Sequence, residues 1–199
     1  MTILVTDDFS GVSGIWTDVA NGGSTVAVGS GVKTINNNTG AYTDCGFVHT
    51  AGIAPRPQMY WDIGIRGGNG SNRYVHVLVR DVAAVDIATG AGIQIIKFDD
   101  LVSVSSFFDG AGIAGPIDAG ASNVFHSTRI VLNADNSFSF FYDGIPLGTT
   151  LPTGYLQKTA LHYTATEAFT QPTDFDNFQI GFTEENSFLV KKLLLRGAL

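Results

Sequence analysis

Cysteine is almost missing from this chain. Cys45 is the only one, so no internal disulfide can form and no CxxC-type zinc site exists. A lone thiol without an evident base reads as a small buried hydrophobe and not as a nucleophile. Glutamate is nearly as scarce: of 18 acidic residues only Glu167, Glu184 and Glu185 are glutamates. Lys and Arg together number 11, and only Lys191–Lys192 are adjacent. With a net charge of −7 and dispersed cations, there is no basic patch to hold nucleic-acid phosphates. No run approaches the ~20 apolar residues of a membrane span. The opening MTILVTDDFSG has neither a basic n-region nor a long apolar core, so it does not read as a signal peptide. The expectation is synthesis in the host cytoplasm without export. No stretch shows a convincing long helical period. No HExxH, GxSxG or GxxxxGK[ST] occurs, and His49, His76, His126 and His162 are far apart in sequence.

What the chain has is alternation. Hydrophobic residues make up 44% and glycines number 24, a composition that suits strands and turns. "RYVHVLVRDV" puts Val75, Val77 and Val79 on one face and Tyr74, His76, Leu78 and Arg80 on the other. "PQMYWDIGIRG" separates Met59, Trp61, Ile63 and Ile65 from Tyr60 and Asp62. "STRIVLN", "SFSFFYDG" and "NFQIGFTE" offer Ile130/Leu132, Phe138/Phe140/Tyr142 and Phe178/Ile180/Phe182. Further strands are expected over 2–9, 13–19, 24–35, 42–50, 91–99, 101–108 and 187–197. Turn clusters such as NNNTG at 36–40, NADNS at 133–137 and DG at 143–144 separate them. The best helical stretch is 153–163, which reads equally as a loop with one short turn. About a dozen short strands in 199 residues, with no linker or charge run, predict one all-β domain over 1–199. Its expected form is a single-domain antiparallel β-sandwich of jelly-roll type.

GAGIAG at 110–115 fits the G-x-G-x-x-G spacing of a dinucleotide loop. That loop needs a helix N-terminus after it, whose free N–H groups and dipole hold the pyrophosphate. Here Pro116 follows at once and no helix pattern comes after. The expectation is a Gly-rich loop between two sheet strands, without a nucleotide.

"STRIVLNADNSFSFFYDGIPLGT", 127–149, resembles the strand–turn–strand–turn–strand unit of the concanavalin A-like (laminin G-like) jelly rolls. "TDDFSG" at 6–11 and "DFDNFQIGF" followed by "FLVKKLLLRG" resemble that superfamily's paired terminal strands. The resemblance covers most of the chain in order, and its motifs are structural. It implies a concanavalin A-like sandwich, a fold shared by lectins, carbohydrate-binding modules, laminarinase-like glycoside hydrolases and many phage virion domains. The hydrolase branch carries an E-x-D-x-x-E or E-x-D-x-E cluster on one strand. Nothing here matches it: no glutamate precedes residue 167, and Glu184–Glu185 are adjacent, so a strand would point them to opposite faces. The expectation is therefore not an enzyme.

The function expected is that of a phage virion structural or surface protein: a capsid decoration, fibre or tail-adhesin subunit with a lectin-like jelly roll. Its location would be the virion. Its partners would be copies of itself, other virion proteins and surface polysaccharide, with no nucleic acid and no membrane. The alternatives are a stand-alone carbohydrate-binding module and a degenerate glycoside hydrolase. The candidate glycan surface is Tyr60, Asp62, Tyr74, His76 and Arg80, where aromatics would stack on sugars and polar groups would take hydroxyls. No cofactor is implied. Calcium takes loop carboxylates, and Asp174 and Asp176 of "TDFDN" are the best such pair, but no calcium motif is matched. The apolar stretch "SFLVKKLLLRGAL" would present Leu193 and Leu195 for assembly into a homo-oligomer, a trimer before a dimer, or onto a lattice. A loop of the same chain could cover it instead.

Overall fold

The computed structural model describes residues 1–20, 23–36, 45–49, 51–67, 73–81, 89–98, 101–118, 123–158, 160–167 and 172–183. Among them are fifteen strands: β1 (Thr2–Asp7), β2 (Trp16–Val19), β3 (Thr25–Gly29), β4 (Val32–Asn36), β5 (Cys45–His49), β6 (Met59–Gly67), β7 (Arg73–Asp81), β8 (Ala91–Phe98), β9 (Leu101–Phe108), β10 (Ala111–Asp118), β11 (His126–Leu132), β12 (Phe138–Tyr142), β13 (Ile145–Thr149), β14 (Leu161–Glu167) and β15 (Thr173–Phe182). One 3₁₀ turn spans Tyr155–Gln157. The first sheet runs β13-β12-β11-β6-β15-β4-β3, with β1 also paired to β15; the second runs β10-β9-β8-β7-β14-β5-β2. All pairings are antiparallel.

The period-two reading places the core correctly. Met59, Trp61, Ile63 and Ile65 of β6 face Val75, Val77 and Val79 of β7 across the sandwich, all essentially buried. Ile130, Leu132, Phe138, Phe140 and Tyr142 extend the same layer. Each such side chain stabilises the fold by about 1.5–3 kcal/mol through removal from water. At one end Phe9, Trp16, Phe47 and Phe178 meet edge-on or tilted, with ring centroids 4.6–6.1 Å apart. Cys45 is buried in this core. Lys33 of β4 is also turned inward. Its ammonium lies 2.6 Å from Asp18 of β2 and 5.1 Å from the centre of the Phe47 ring, bridging the two layers.

Several elements differ from the sequence reading. The single strand expected over 24–35 is a hairpin, β3–β4, reversed at Ser30–Gly31. GAGIAG is not a loop: after a two-residue turn at Asp109 (φ 46°) and Gly110 (φ 79°), it enters edge strand β10. This is the backbone of a type I′ hairpin turn, as is Asp143–Gly144 (φ 49° and 75°) between β12 and β13. Pro116 is tolerated because β10 is an edge, and two register shifts interrupt its pairing. The helical candidate 153–163 yields only the 3₁₀ turn; its last residues begin β14, a strand between β7 and β5. In β15 the alternation skips a beat. Phe175 and Phe178 are both core residues three apart, because a bulge at Asp176–Asn177 (Asn177 φ 52°) adds one residue. The expected strand over 187–197, with Leu193 and Leu195, lies outside the described residues.

Candidate functional site

Five residues of the first sheet form one row across five strands. Phe141 of β12 is opposite Arg129 of β11, which is opposite Asp62 of β6; Asp62 is opposite Gln179 of β15, which is opposite Thr6 of β1. All project from the face away from the core. At the centre Arg129 clasps Asp62 with two hydrogen bonds, Nε to Oδ1 at 2.7 Å and an Nη to Oδ2 at 2.6 Å. This fork geometry is the strong form of the Arg–carboxylate pair. It holds the Arg129 pKa above its ordinary value, chiefly through the hydrogen bond to Asp62. The guanidinium also lies 5.0 Å from the centre of the Tyr60 ring.

Tyr60 lies flat beneath it. Its hydroxyl donates to Gln179 at 3.2 Å, and glycine at 181 leaves room for the ring: a Cβ there would stand 2.5 Å from the Tyr60 hydroxyl. Burial, helped by the Asp62 charge, raises the Tyr60 pKa. Only 3% of Tyr60 is exposed, so it supports Arg129 and offers no stacking face.

A second support builds the upper wall. Arg66 of β6 makes two hydrogen bonds to Asp174 of β15, at 3.2 and 2.7 Å, and Thr34 of β4 adds a third at 2.7 Å. The locked guanidinium sits 4.5 Å from the ring centre of Phe125, which is 39% exposed. Phe125 lies over Gly64 of β6, where a Cβ would stand 3.6 Å from its ring and 3.1 Å from the Asp176 carbonyl. Beside it, Asp143 receives His126 Nδ1 at 2.6 Å and the Ser127 N–H at 2.7 Å, tying the β12–β13 turn to the start of β11.

These walls bound a cleft of about 860 Å³, lined among others by Phe125, Phe141, Val131, Arg129, Asp62 and Asn177. A second cleft of about 450 Å³ adjoins it, lined by Thr6, Asp7, Asp8, Asp62, Asn177, Phe178 and Gln179.

The five residues expected to make one glycan surface are divided between the sheets. Tyr60 and Asp62 lie on β6 of the first, Tyr74, His76 and Arg80 on β7 of the second. The sandwich core separates them, so they do not form one surface. On the second sheet, Gln94 of β8 donates its amide to His76 Nε2 at 2.8 Å, and Phe107 packs edge-on to the imidazole at 5.7 Å. Burial lowers the His76 pKa to about 4. Leu78 beside it is fully buried, and Gly92 opens the space that Leu78 and Phe107 fill. Asp174 and Asp176 do not act as a pair: Asp174 is held by Arg66 and Thr34, and Asp176 bonds to Asn177. Among the described residues no group of three or more His, Cys, Asp or Glu is placed to hold a metal ion.

Sequence reasoning missed Arg129, Phe125, Phe141 and Gln179. The alternation of "STRIVLN" already turns Arg129 outward, but its partner Asp62 is 67 residues away, and no local signal joins them.

No family model matches the chain, and no curated protein matches it. Solved structures do. The carbohydrate recognition domain of Emp46p superposes with a TM-score of 0.67 at 12% identity, covering 87% of this chain and 94% of that one. The β-glucanase of Bacillus licheniformis gives 0.61 at 14% identity, covering 91% and 98%. A Bacillus subtilis protein of unknown function with a galectin-like fold gives 0.59 at 8% identity, covering 92% and 96%. The fold is the concanavalin A-like jelly roll. This lectin-like sandwich is the architecture anticipated from residues 127–149 and from the pairing of β1 with β15.

Proposed function

We propose that this chain is a non-catalytic, glycan-binding module with a lectin-like fold, working at the surface of a phage particle. The observation that carries the glycan reading is the cleft above the Arg129–Asp62 pair. There, guanidinium donors and carboxylate acceptors stand side by side, flanked by the apolar rings of Phe125 and Phe141. A pyranose presents the same combination, hydroxyls at its rim and C–H groups on its faces. Sites for such ligands combine apolar lining with a few placed polar groups.

The non-catalytic reading is supported by how the carboxylates are used. Retaining glycoside cleavage needs two carboxyl groups about 5–5.5 Å apart, one of them free to give up a proton. Both oxygens of Asp62 are bound by Arg129, and both oxygens of Asp7 are committed to Phe9 N–H, Ser13 and Trp16. Among the described outward positions of β7, β8 and β9, which carry His76, Leu78, Arg80, Gly92, Gln94, Ser103, Ser105 and Phe107, there is no carboxylate. The virion setting is supported by the acidic, Glu-poor and Gly-rich composition and by the resemblance to a superfamily that includes many phage virion domains.

Glycan-array screening, followed by calorimetry with wild type and Phe125→Ala, tests the binding. The expected result is saturable binding that Phe125→Ala weakens about tenfold without lowering the melting temperature. An array without a hit sinks the glycan reading, and reducing sugar released from any bound glycan sinks the non-catalytic one. Detection of the chain in purified particles by peptide mass spectrometry checks the setting, and its absence there removes it.

A further inference from the structure

The two clefts on the first sheet are not separate. They share Asp62 and Asn177, and the row from Phe141 to Thr6 passes through both. That row crosses β12, β11, β6, β15 and β1, five strands spaced about 4.8 Å apart, or roughly 19 Å end to end. Its chemistry changes along the way. It begins with the ring of Phe141, passes the Arg129–Asp62 pair, and ends on the amide of Gln179 and the hydroxyl of Thr6 beside Asp8.

The charges along it are largely internal. Arg129 is neutralised by Asp62 at 2.6 Å, and His126 and Asp143 face each other at 2.6 Å. Asp8, at the far end, is bonded only within its own turn, to Ser10, and this holds its pKa below the ordinary carboxylate value. The chain as a whole carries −7. A polyanionic ligand would meet repulsion there and no unpaired cation in the row, whereas a neutral one meets matched donors and acceptors.

We infer that the two clefts form one trough for a linear, neutral oligosaccharide of about four sugars, laid across the strands of the first sheet. This rests on the glycan-binding reading and adds the class, length and direction of the ligand. Affinity should come from several adjacent subsites, so shortening the ligand or truncating either end of the row should weaken binding in steps.

Calorimetry on the full chain tests it, using neutral β-linked gluco-, xylo- and galacto-oligosaccharides of two to six units and oligogalacturonate as the anionic probe. For whichever neutral series binds, affinity should rise at least tenfold from two to four units and level off by five. Phe141→Ala at one end and Asp8→Ala at the other should each lower tetrasaccharide affinity about three- to tenfold, with unchanged melting temperatures. Equal affinity for two and four units would overturn the trough and leave a single-sugar pocket. Tighter binding of oligogalacturonate than of any neutral series would overturn the neutral class. Tetrasaccharide binding indifferent to both end variants would overturn the direction. Absence of binding by every probe and on the array would instead remove the glycan reading beneath it.

Discussion

The hydroxyl of Tyr60 occupies the space that a side chain at position 181 would need. A Cβ on residue 181 would stand 2.5 Å from that oxygen and 2.7 Å from the Thr2 carbonyl on β1. Gly181→Ala should therefore cost about 1–3 kcal/mol, since overpacking at a close contact forces side chains or backbone to shift. Tyr60→Phe alone loses one 3.2 Å hydrogen bond to Gln179 and should cost about 1 kcal/mol or less. Combining the two should return part of the Gly181→Ala loss, because the nearest obstructing atom is gone while the Thr2 carbonyl and the Tyr60 ring carbon, each at 2.7 Å, remain. Chemical denaturation of the three variants measures this; simple additivity would show that the contact is not the cause.

Val77 sits at the centre of the core layer and is 1% exposed. Val77→Asp buries a carboxylate without a partner and should cost several kcal/mol. A variant melting within a degree or two of wild type would remove β7 from the core.

This strand was legible from sequence because Val75, Val77 and Val79 alternate into the core with His76 and Arg80 turned away; only Leu78, buried on the outward side, breaks the pattern. β15 was legible only in part. From Phe178 to Ile180 the alternation holds, but the bulge at Asp176–Asn177 shifts everything before it, and nothing in "TDFDNFQ" announces an extra residue. β14 was overlooked: "LHYTATE" alternates, yet "TGYLQK" before it suggested a helical turn. The candidate site was the least legible part. Arg129, Asp62, Gln179 and Thr6 come from four strands distant in sequence, so their meeting depends on sheet order, which local pattern does not encode. The same reason explains why Tyr60/Asp62 and Tyr74/His76/Arg80, close in sequence, end up in different sheets.

Acid should destabilise the fold through its histidines. An unfolded imidazole takes its proton near 6.5, whereas His76 in the fold does so only at about 4. The folded pKa is thus depressed, so this contribution is complete above about pH 6.5 and is lost as pH falls toward 4. The full shift corresponds to about 3 kcal/mol. His49, buried between Trp16 and Phe178, has its pKa lowered first by desolvation and acts in the same direction. Urea unfolding at pH 7.5, 5.5 and 4.5 should show a steeper loss in wild type than in His76→Gln. Parallel curves would mean that His76 titrates normally.

Lys33 and Asp18 are unequal partners: the side chain of Lys33 is 4% exposed and that of Asp18 43%. Asp18→Asn leaves a buried ammonium without its counter-charge, while Lys33→Met removes the charge and keeps the apolar stem. Asp18→Asn should therefore lower the melting temperature more than Lys33→Met. The reverse order would show that water already screens the ammonium.

With Gly110–Gly115 built into a turn and the edge strand β10, no helix N-terminus among the described residues faces it to receive a phosphate. Millimolar mononucleotides and dinucleotides should leave the melting temperature unchanged. A saturable rise would reveal binding to the folded state.

The position of β15 sets the order in which the chain can become a protein. It is hydrogen-bonded to β1, β4 and β6, so each of these three earlier strands lacks one neighbour until residues 173–182 have been made. At about 5–20 residues per second, β1 waits roughly 10–35 s on the ribosome for β15, its partner strand among the described residues. During that interval Ile3 and Leu4, exposed even in the finished fold, stand on an unpaired strand. Closure of the first sheet is thus a late event joining distant parts of the chain, and non-local pairing of this kind is slow. Yield at high expression should depend less on final stability than on what shields β1 until β15 arrives.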